Sequence, residues 1–188
     1  MNPLGRPVAL VVHESMFGNT ATIADAVARG LALQGIAVST VDVAEAPAGD
    51  VGEADLLVIG GPTHAFSLSR PGTRADAVRQ GADPRHATTG LREWIDGLPR
   101  VPAGTVRLSA VFDTRVSKVR RLPKSAGTRA GHLLQARGYT LLERPMAFVV
   151  ADVSGPLLDG EAGRAVAWGR ALARECEERL TVTRARSS

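Results

Sequence analysis

The chain is nearly without cysteine, poor in aromatic side chains and free of long apolar runs, and each shortage removes a class of protein. Cys176 is the one cysteine in 188 residues, so no intrachain disulfide can form. It falls inside a helical pattern, where a free thiol behaves as a small buried hydrophobe. No segment approaches the roughly 18 consecutive apolar residues that a membrane helix needs. Met1 to Pro7 also lacks the apolar stretch of a secretory signal. The sequence therefore reads as cytoplasmic, with no membrane partner. Aromatic residues make up only 4%, and the net charge of +4 comes from arginines spread along the chain. No zinc-finger or helix-turn-helix spacing is present, so a nucleic-acid partner is not expected. No Cys, His or carboxylate cluster has the spacing of metal ligands, so no metal site is expected.

What is there is an alternation of buried strands and amphipathic helices. Val8 to Val12 is a continuous apolar run, as in a parallel strand covered on both faces. A helix follows, with Ile23, Val27 and Leu31 at spacing four and Gly35 placed for a left-handed C-terminal cap. Strands are read at Ile36 to Val43, Asp55 to Gly60 and Thr105 to Phe112. A last strand is read at Leu141-Leu142 and Met146 to Val150, interrupted near Pro145. Helices are read from a Thr89 cap through Leu98, from Ser125 to Arg137, and from Gly160 to Leu180 with Asp159 as N-cap. Glu45 to Ala54 reads as a short helix or loop, the arginine-rich stretch Ser67 to Thr89 as irregular, a lid or a subunit contact, and residues 181–188 as a frayed tail.

This order implies right-handed βαβ units, and so an α/β chain: a doubly wound five-stranded parallel sheet, order 2-1-3-4-5, in a three-layer α/β/α sandwich. A single domain is expected, with its core at about residues 7–180. Ligands of such sheets bind beyond the carboxyl ends of the strands, at the switch point between the first and third. The two unusual loops of the chain follow those two strands. Ser15-Met16-Phe17-Gly18-Asn19-Thr20 runs straight into the first helix, and Gly60-Gly61-Pro62-Thr63-His64-Ala65-Phe66 closes the third strand. A turn of the first kind leaves backbone N–H groups free at a helix N-terminus, with the hydroxyls of Ser15 and Thr20 beside them, and so can hold a phosphate. It lacks the Gly-x-Gly-x-x-Gly of dinucleotide sites and the Gly-Lys-Ser/Thr of triphosphate loops, and suits a phosphate monoester. A simple helix cap accounts for one such residue, but not for the whole run and the second loop together.

Ser15 to Thr20 resembles the FMN phosphate loop of the flavodoxin family, whose usual form is a hydroxyl residue, any residue, a Thr or aromatic, and then Gly-Asn-Thr. Gly60 to Phe66 resembles that family's second flavin loop. The resemblance implies non-covalent FMN, with Ser15, Met16, Phe17, Gly18, Asn19 and Thr20 at the phosphate. Pro62, Thr63, His64, Ala65 and Phe66 would then lie along the isoalloxazine. After the fourth strand the chain departs from the electron-transfer flavodoxins: in place of a Gly-rich acidic loop it has Phe112-Asp113-Thr114-Arg115-Val116, then Lys118, Arg120, Arg121 and Lys124. By the same resemblance Asp113 and Thr114 would bond the pyrimidine edge, and Arg115 would stabilise negative charge near flavin N1.

Electron-transfer flavodoxins are usually acidic, whereas Arg70, Arg74, Arg115, Lys118, Arg120 and Arg121 form a basic set on the carboxyl side of the sheet. The nearer resemblance is to FMN-dependent quinone reductases of the tryptophan-repressor-binding-protein type, with NAD(P)H as donor. Expected partners are a small redox substrate or a redox partner protein, with a homo-oligomer left open. The alternatives are a one-electron carrier and a flavin-free binding domain on the same scaffold. His64 is the candidate for protonating an acceptor, or else only shapes its loop. His13 underlies the first loop, and His86 and His132 read as surface or packing residues. Phe17 and Phe66 are candidate flavin neighbours, and Trp94 and Trp168 read as core.

Overall fold

The computed structural model describes residues 6–47, 49–64, 66–119 and 125–187. In chain order the elements are β1 (Val8–His13), α1 (Asn19–Ala32), β2 (Ala37–Asp42), β3 (Leu56–Pro62), α2 (Pro71–Arg79), α3 (Leu91–Asp96), β4 (Leu108–Val116), α4 (Ala126–Ala136), β5 (Thr140–Leu141), β6 (Met146–Val150) and α5 (Glu161–Ser187). All strand pairs are parallel, in the order β2-β1-β3-β4-β5, with β6 also pairing β4. β5 meets the start of β4 (Leu108↔Thr140) and β6 its end (Phe112↔Met146). The two therefore share the fifth sheet position, split around Pro145, which has no N–H to donate to a ladder.

Strand alternation sends the apolar side chains into two cores. Ala9 and Val11 of β1 face α1 and α5, with Ile23, Val27, Leu31, Trp168 and Leu172, whereas Val12 faces α3 and α4, with Trp94, Ile95 and Leu134. Phe112, Phe148 and Trp168 meet edge to face, with ring centroids 5.9 to 6.1 Å apart. Phe112 occupies the space beside Gly60, where a Cβ would lie 1.9 Å from the ring, so the glycine of the second loop is demanded by packing. Cys176 is fully buried, and burial pushes its thiol up to about 12, the state of an inert core residue. No helix among the described residues is long and apolar enough to cross a membrane.

The structure corrects several sequence boundaries. β4 runs on to Val116, so Asp113, Thr114 and Arg115 belong to a strand and not to a loop. The stretch from Ser67 to Thr89 contains α2 and a 3-10 turn at Pro84–Ala87; only Arg74 and Ala77 of α2 are buried, too few for a visible apolar stripe. Gly90, not Thr89, starts α3, because the Glu93 carboxylate accepts the Gly90 N–H. α5 continues past Leu180 to Ser187, since no Gly or Pro intervenes and the hydroxyls of Thr181 and Thr183 bond back to the carbonyls of Glu177 and Arg179. Ser125, read as the first residue of the helix, is the N-cap of α4 and accepts the Thr128 N–H, whereas Gly35 has, as expected, the left-handed φ of +89° after α1.

α1 is fixed against α5 by two facing glycines. A Cβ on Gly30 would lie 2.3 Å from the Val166 carbonyl oxygen, and one on Gly169 would lie 2.3 Å from that of Val27. The backbones touch, so the position of the α1 N-terminus is set by a contact that tolerates no side chain. Gly30→Ala is expected to cost about 2 kcal/mol, the scale of core overpacking. Gly163→Ala, where a Cβ meets nothing within 4 Å, should be neutral or slightly stabilising. Urea unfolding of both variants checks this.

Candidate functional site

The strand β1 ends at His13, and the chain reaches α1 in five residues. Gly18, at φ +84°, is the N-cap position and has no side chain with which to cap. The Ser15 hydroxyl accepts the Ala21 N–H at 3.1 Å, so one donor of the first turn is satisfied within the chain. Within the described residues the backbone N–H groups of Met16, Phe17, Gly18, Asn19 and Thr20 meet no protein acceptor. Five donors around the positive end of a 14-residue helix form an anion cradle. Its shape is held from several sides. Met16 packs on Ala77 and Ala82, the Thr20 hydroxyl bonds that of Thr114 at 2.8 Å, and the Asn19 amide donates to the Ser154 carbonyl at 3.1 Å.

The cleft beside the cradle is lined by Met16, Phe17, Asn19, Thr20, Pro62, Thr63, His64, Thr114, Arg115 and Val116, with Val150 and Val153. It lies at the carboxyl ends of β1, β3 and β4, so the first and second loops and the end of β4 do converge. Thr63 ties them together: its N–H donates to the Thr114 carbonyl at 2.8 Å, and its hydroxyl accepts the Ala126 N–H at 3.1 Å. His64 and Ser67 then exchange backbone hydrogen bonds across a tight turn that puts Phe66 at φ +64°, the residue 48% exposed. A bulky residue held left-handed costs about 1 to 2 kcal/mol. Ala65 lies outside the described residues, as do Arg120, Arg121 and Lys124.

The sequence of the flavodoxin family model matches residues 11–70, the segment that holds both loops. Solved structures share the architecture. An archaeal flavodoxin superposes with a TM-score of 0.62 at 16% identity, covering 90% of this chain and 99% of that one. Flavodoxin 2 of Bacillus cereus gives 0.61 at 21% identity, over 91% and 98%. A WrbA-like flavodoxin of Agrobacterium tumefaciens gives 0.52 at 17% identity, over 92% and 98%. The fold is flavodoxin-like. Comparison with curated protein sequences finds no match.

Two sequence expectations change on this flavodoxin-like scaffold. Asp113 does not line the cleft: it is fully buried, and its carboxylate takes the Arg115 guanidinium on both oxygens (2.6 and 2.7 Å) and the Gly127 N–H at 3.0 Å. Strand alternation points Asp113 toward the N-terminus of α4 and Thr114 toward Thr20. Arg74 is likewise no rim cation. It is fully buried, donating to Ser69, Glu93 and the carbonyls of Ala87 and Thr88, and so ties α2 to α3. Arg70 and Lys118 are the exposed cations of the expected basic set among the described residues. His64 is held below its ordinary pKa by burial and by the charge of Arg74, so it meets the cleft as a neutral imidazole. His13 and His86 are buried packing residues beside Asp42, each 3.6 Å from its carboxylate.

Sequence reasoning missed Glu14, Val150 and Val153. The valines carry no chemical signal and enter only because the loop after β6 folds back to Asn19. Glu14, next to Ser15, is fully buried; it accepts the Leu91 N–H at 2.7 Å, while its other oxygen has no partner. Burial raises its pKa, outweighing the Ser69 hydroxyl, the Leu91 N–H and the Arg74 charge, which act the other way. A proton bound more tightly in the folded state means that Glu14 stabilises most below its ordinary value of 4.5. That contribution falls as pH rises through the window above it. Glu14→Gln, which cannot ionise, should gain on the wild type in urea unfolding between pH 4.5 and neutrality. A gain that shrinks with rising pH would contradict the raised pKa.

Proposed function

We propose that the chain binds FMN non-covalently and acts as a reductase, taking electrons from NAD(P)H and passing them to a quinone or a similar small acceptor. The observation that carries the FMN reading is the set of unpartnered N–H groups from Met16 to Thr20 beside a cleft walled by the second loop. A phosphate monoester fits this cradle because it brings several acceptor oxygens and negative charge to donors that the fold leaves unused. The family match over both loops and the flavodoxins among the similar structures support the same reading.

When bound, FMN would supply the exchange between two-electron donors and one- or two-electron acceptors. The chain's own residues supply placement and electrostatics. Residues 16 to 20 would hold the phosphate through backbone N–H groups, and Thr20, locked to Thr114, would set the distance from the cradle to the end of β4. Phe17, in the cleft wall, would lie against the ring system, Phe66, exposed on the turn after His64 and outside the cleft lining, would have to close over it, and Val150 and Val153 would shield its far side. The Arg115 charge lies in the cleft wall but is shared with Asp113, so it would bias the potential less than a bare cation. His64 would offer its ring N–H to an acceptor oxygen at neutral pH. The nicotinamide-dependent reading rests on Arg70 and Lys118, exposed on the carboxyl side of the sheet, and on the cleft being open to small molecules.

Fluorescence titration of the purified chain should show FMN binding at least tenfold tighter than riboflavin, a difference of about 1.4 kcal/mol. Thr20→Val should narrow that ratio. Phe66→Gly should be more stable to urea by about 1 kcal/mol, through relief of the left-handed strain, and should bind both flavins more weakly. NAD(P)H oxidation that depends on added quinone supports the reductase. FMN binding without such turnover favours the one-electron carrier, and absence of flavin binding removes both.

A further inference from the structure

Helix α5 is 27 residues long, and its core contacts end early: Ala165, Trp168, Leu172, Ala173 and Cys176 are buried, and Leu180 is partly buried. The opposite face borders an open groove against α1 that holds Leu33, 51% exposed, together with Arg170 and Arg174. One turn further on, the helix presents Glu177 and Glu178, and then Val182, 52% exposed. Residues three and four apart share a face, so this surface reads basic, then acidic, then apolar along the axis. Within the described residues Arg170, Arg174, Glu177 and Glu178 form no ion pair, whereas the neighbouring Arg179 and Glu175 pair with each other at 2.8 Å.

A basic segment followed by an acidic one on a single helix is complementary to itself in the antiparallel direction. We infer that this face is a homodimer interface, in which α5 of a second copy lies antiparallel along the α1–α5 groove. With the two-fold axis near position 176, Arg174 of each copy faces Glu178 of the other. Val182 then comes level with Arg170, over the apolar floor that includes Leu33. Such isologous pairing is what a two-fold requires, each residue meeting its counterpart twice. The stretch from Gly163 to Val182 spans roughly 30 Å, enough to seat a partner helix along its length. The apolar contacts provide the attraction, while the charges fix direction and register and make the dimer sensitive to salt.

Sedimentation velocity of the full chain at low salt tests this independently of any flavin. The wild type is expected at twice the chain mass, shifting toward the monomer as salt is raised. The double variants Arg170→Glu/Arg174→Glu and Glu177→Arg/Glu178→Arg carry one sign of charge at all four of these positions, so that residues 174 and 178 repel across the two-fold, and are each expected to be monomeric. An equimolar mixture of the two should return to the dimer mass. All four positions are exposed, and circular dichroism confirms that the variants are folded. Should either variant fail that check, Val182→Asp, expected to weaken the wild-type dimer at least tenfold, decides the matter. A wild type that is monomeric at high micromolar concentration, charge variants that remain dimeric, or a mixture that stays monomeric would each overturn the assignment.

Discussion

Among the described residues, five backbone N–H groups at the start of α1 have no protein partner, and much of the structure serves to keep them there. Left to itself, the first turn of a helix would be satisfied by a side-chain cap or would fray. Here the cap position is a glycine, and the one capping hydroxyl, from Ser15, reaches only Ala21. The turn is braced by neighbours on every side: Met16 on α2, Thr20 on β4, Asn19 on the loop after β6, and the Gly30–Gly169 contact further down the helix. A donor set this well supported and this poorly satisfied is the form that anion recognition takes.

The charges around the cleft are arranged more conservatively than the composition suggests. Two arginines expected to face an anionic substrate are turned to structural use. Arg74 is surrounded by five acceptors and joins α2 to α3, and Arg115 is fastened to Asp113, which also caps α4. Buried ion pairs of this kind fix geometry more than they add stability. Glu14 belongs to the same system. Its carboxyl joins the end of β1 to the start of α3 behind the first loop, and burial raises its pKa, disfavouring a negative charge beside the unpartnered amides.

What the sequence made legible and what it hid divide along physical lines. Repetitive patterns were readable: the apolar run of β1, the spacing-four stripe of α1 with its cap at Gly35, and through them the sheet order 2-1-3-4-5. The two loops could be brought together because the switch point of the sheet leaves them only one place to be. Polar residues that are buried by partnership could not be read in advance. Asp113 has the composition of a loop residue, and only its two partners, one of them across a helix start, make it a strand residue. α2 was hidden because its inward face is an arginine and an alanine, and Glu14 because nothing local distinguishes it from a surface acid.

The central claim is that the amides of Met16 to Thr20 hold the phosphate of FMN. The most direct test is a 15N–1H correlation spectrum of the labelled chain, recorded as FMN and then riboflavin are added. The account predicts that amide resonances of residues 16 to 20 move downfield with FMN and much less with riboflavin, while those near Phe66 respond to both. Equal responses to the two flavins at residues 16 to 20, or none to FMN, would contradict it.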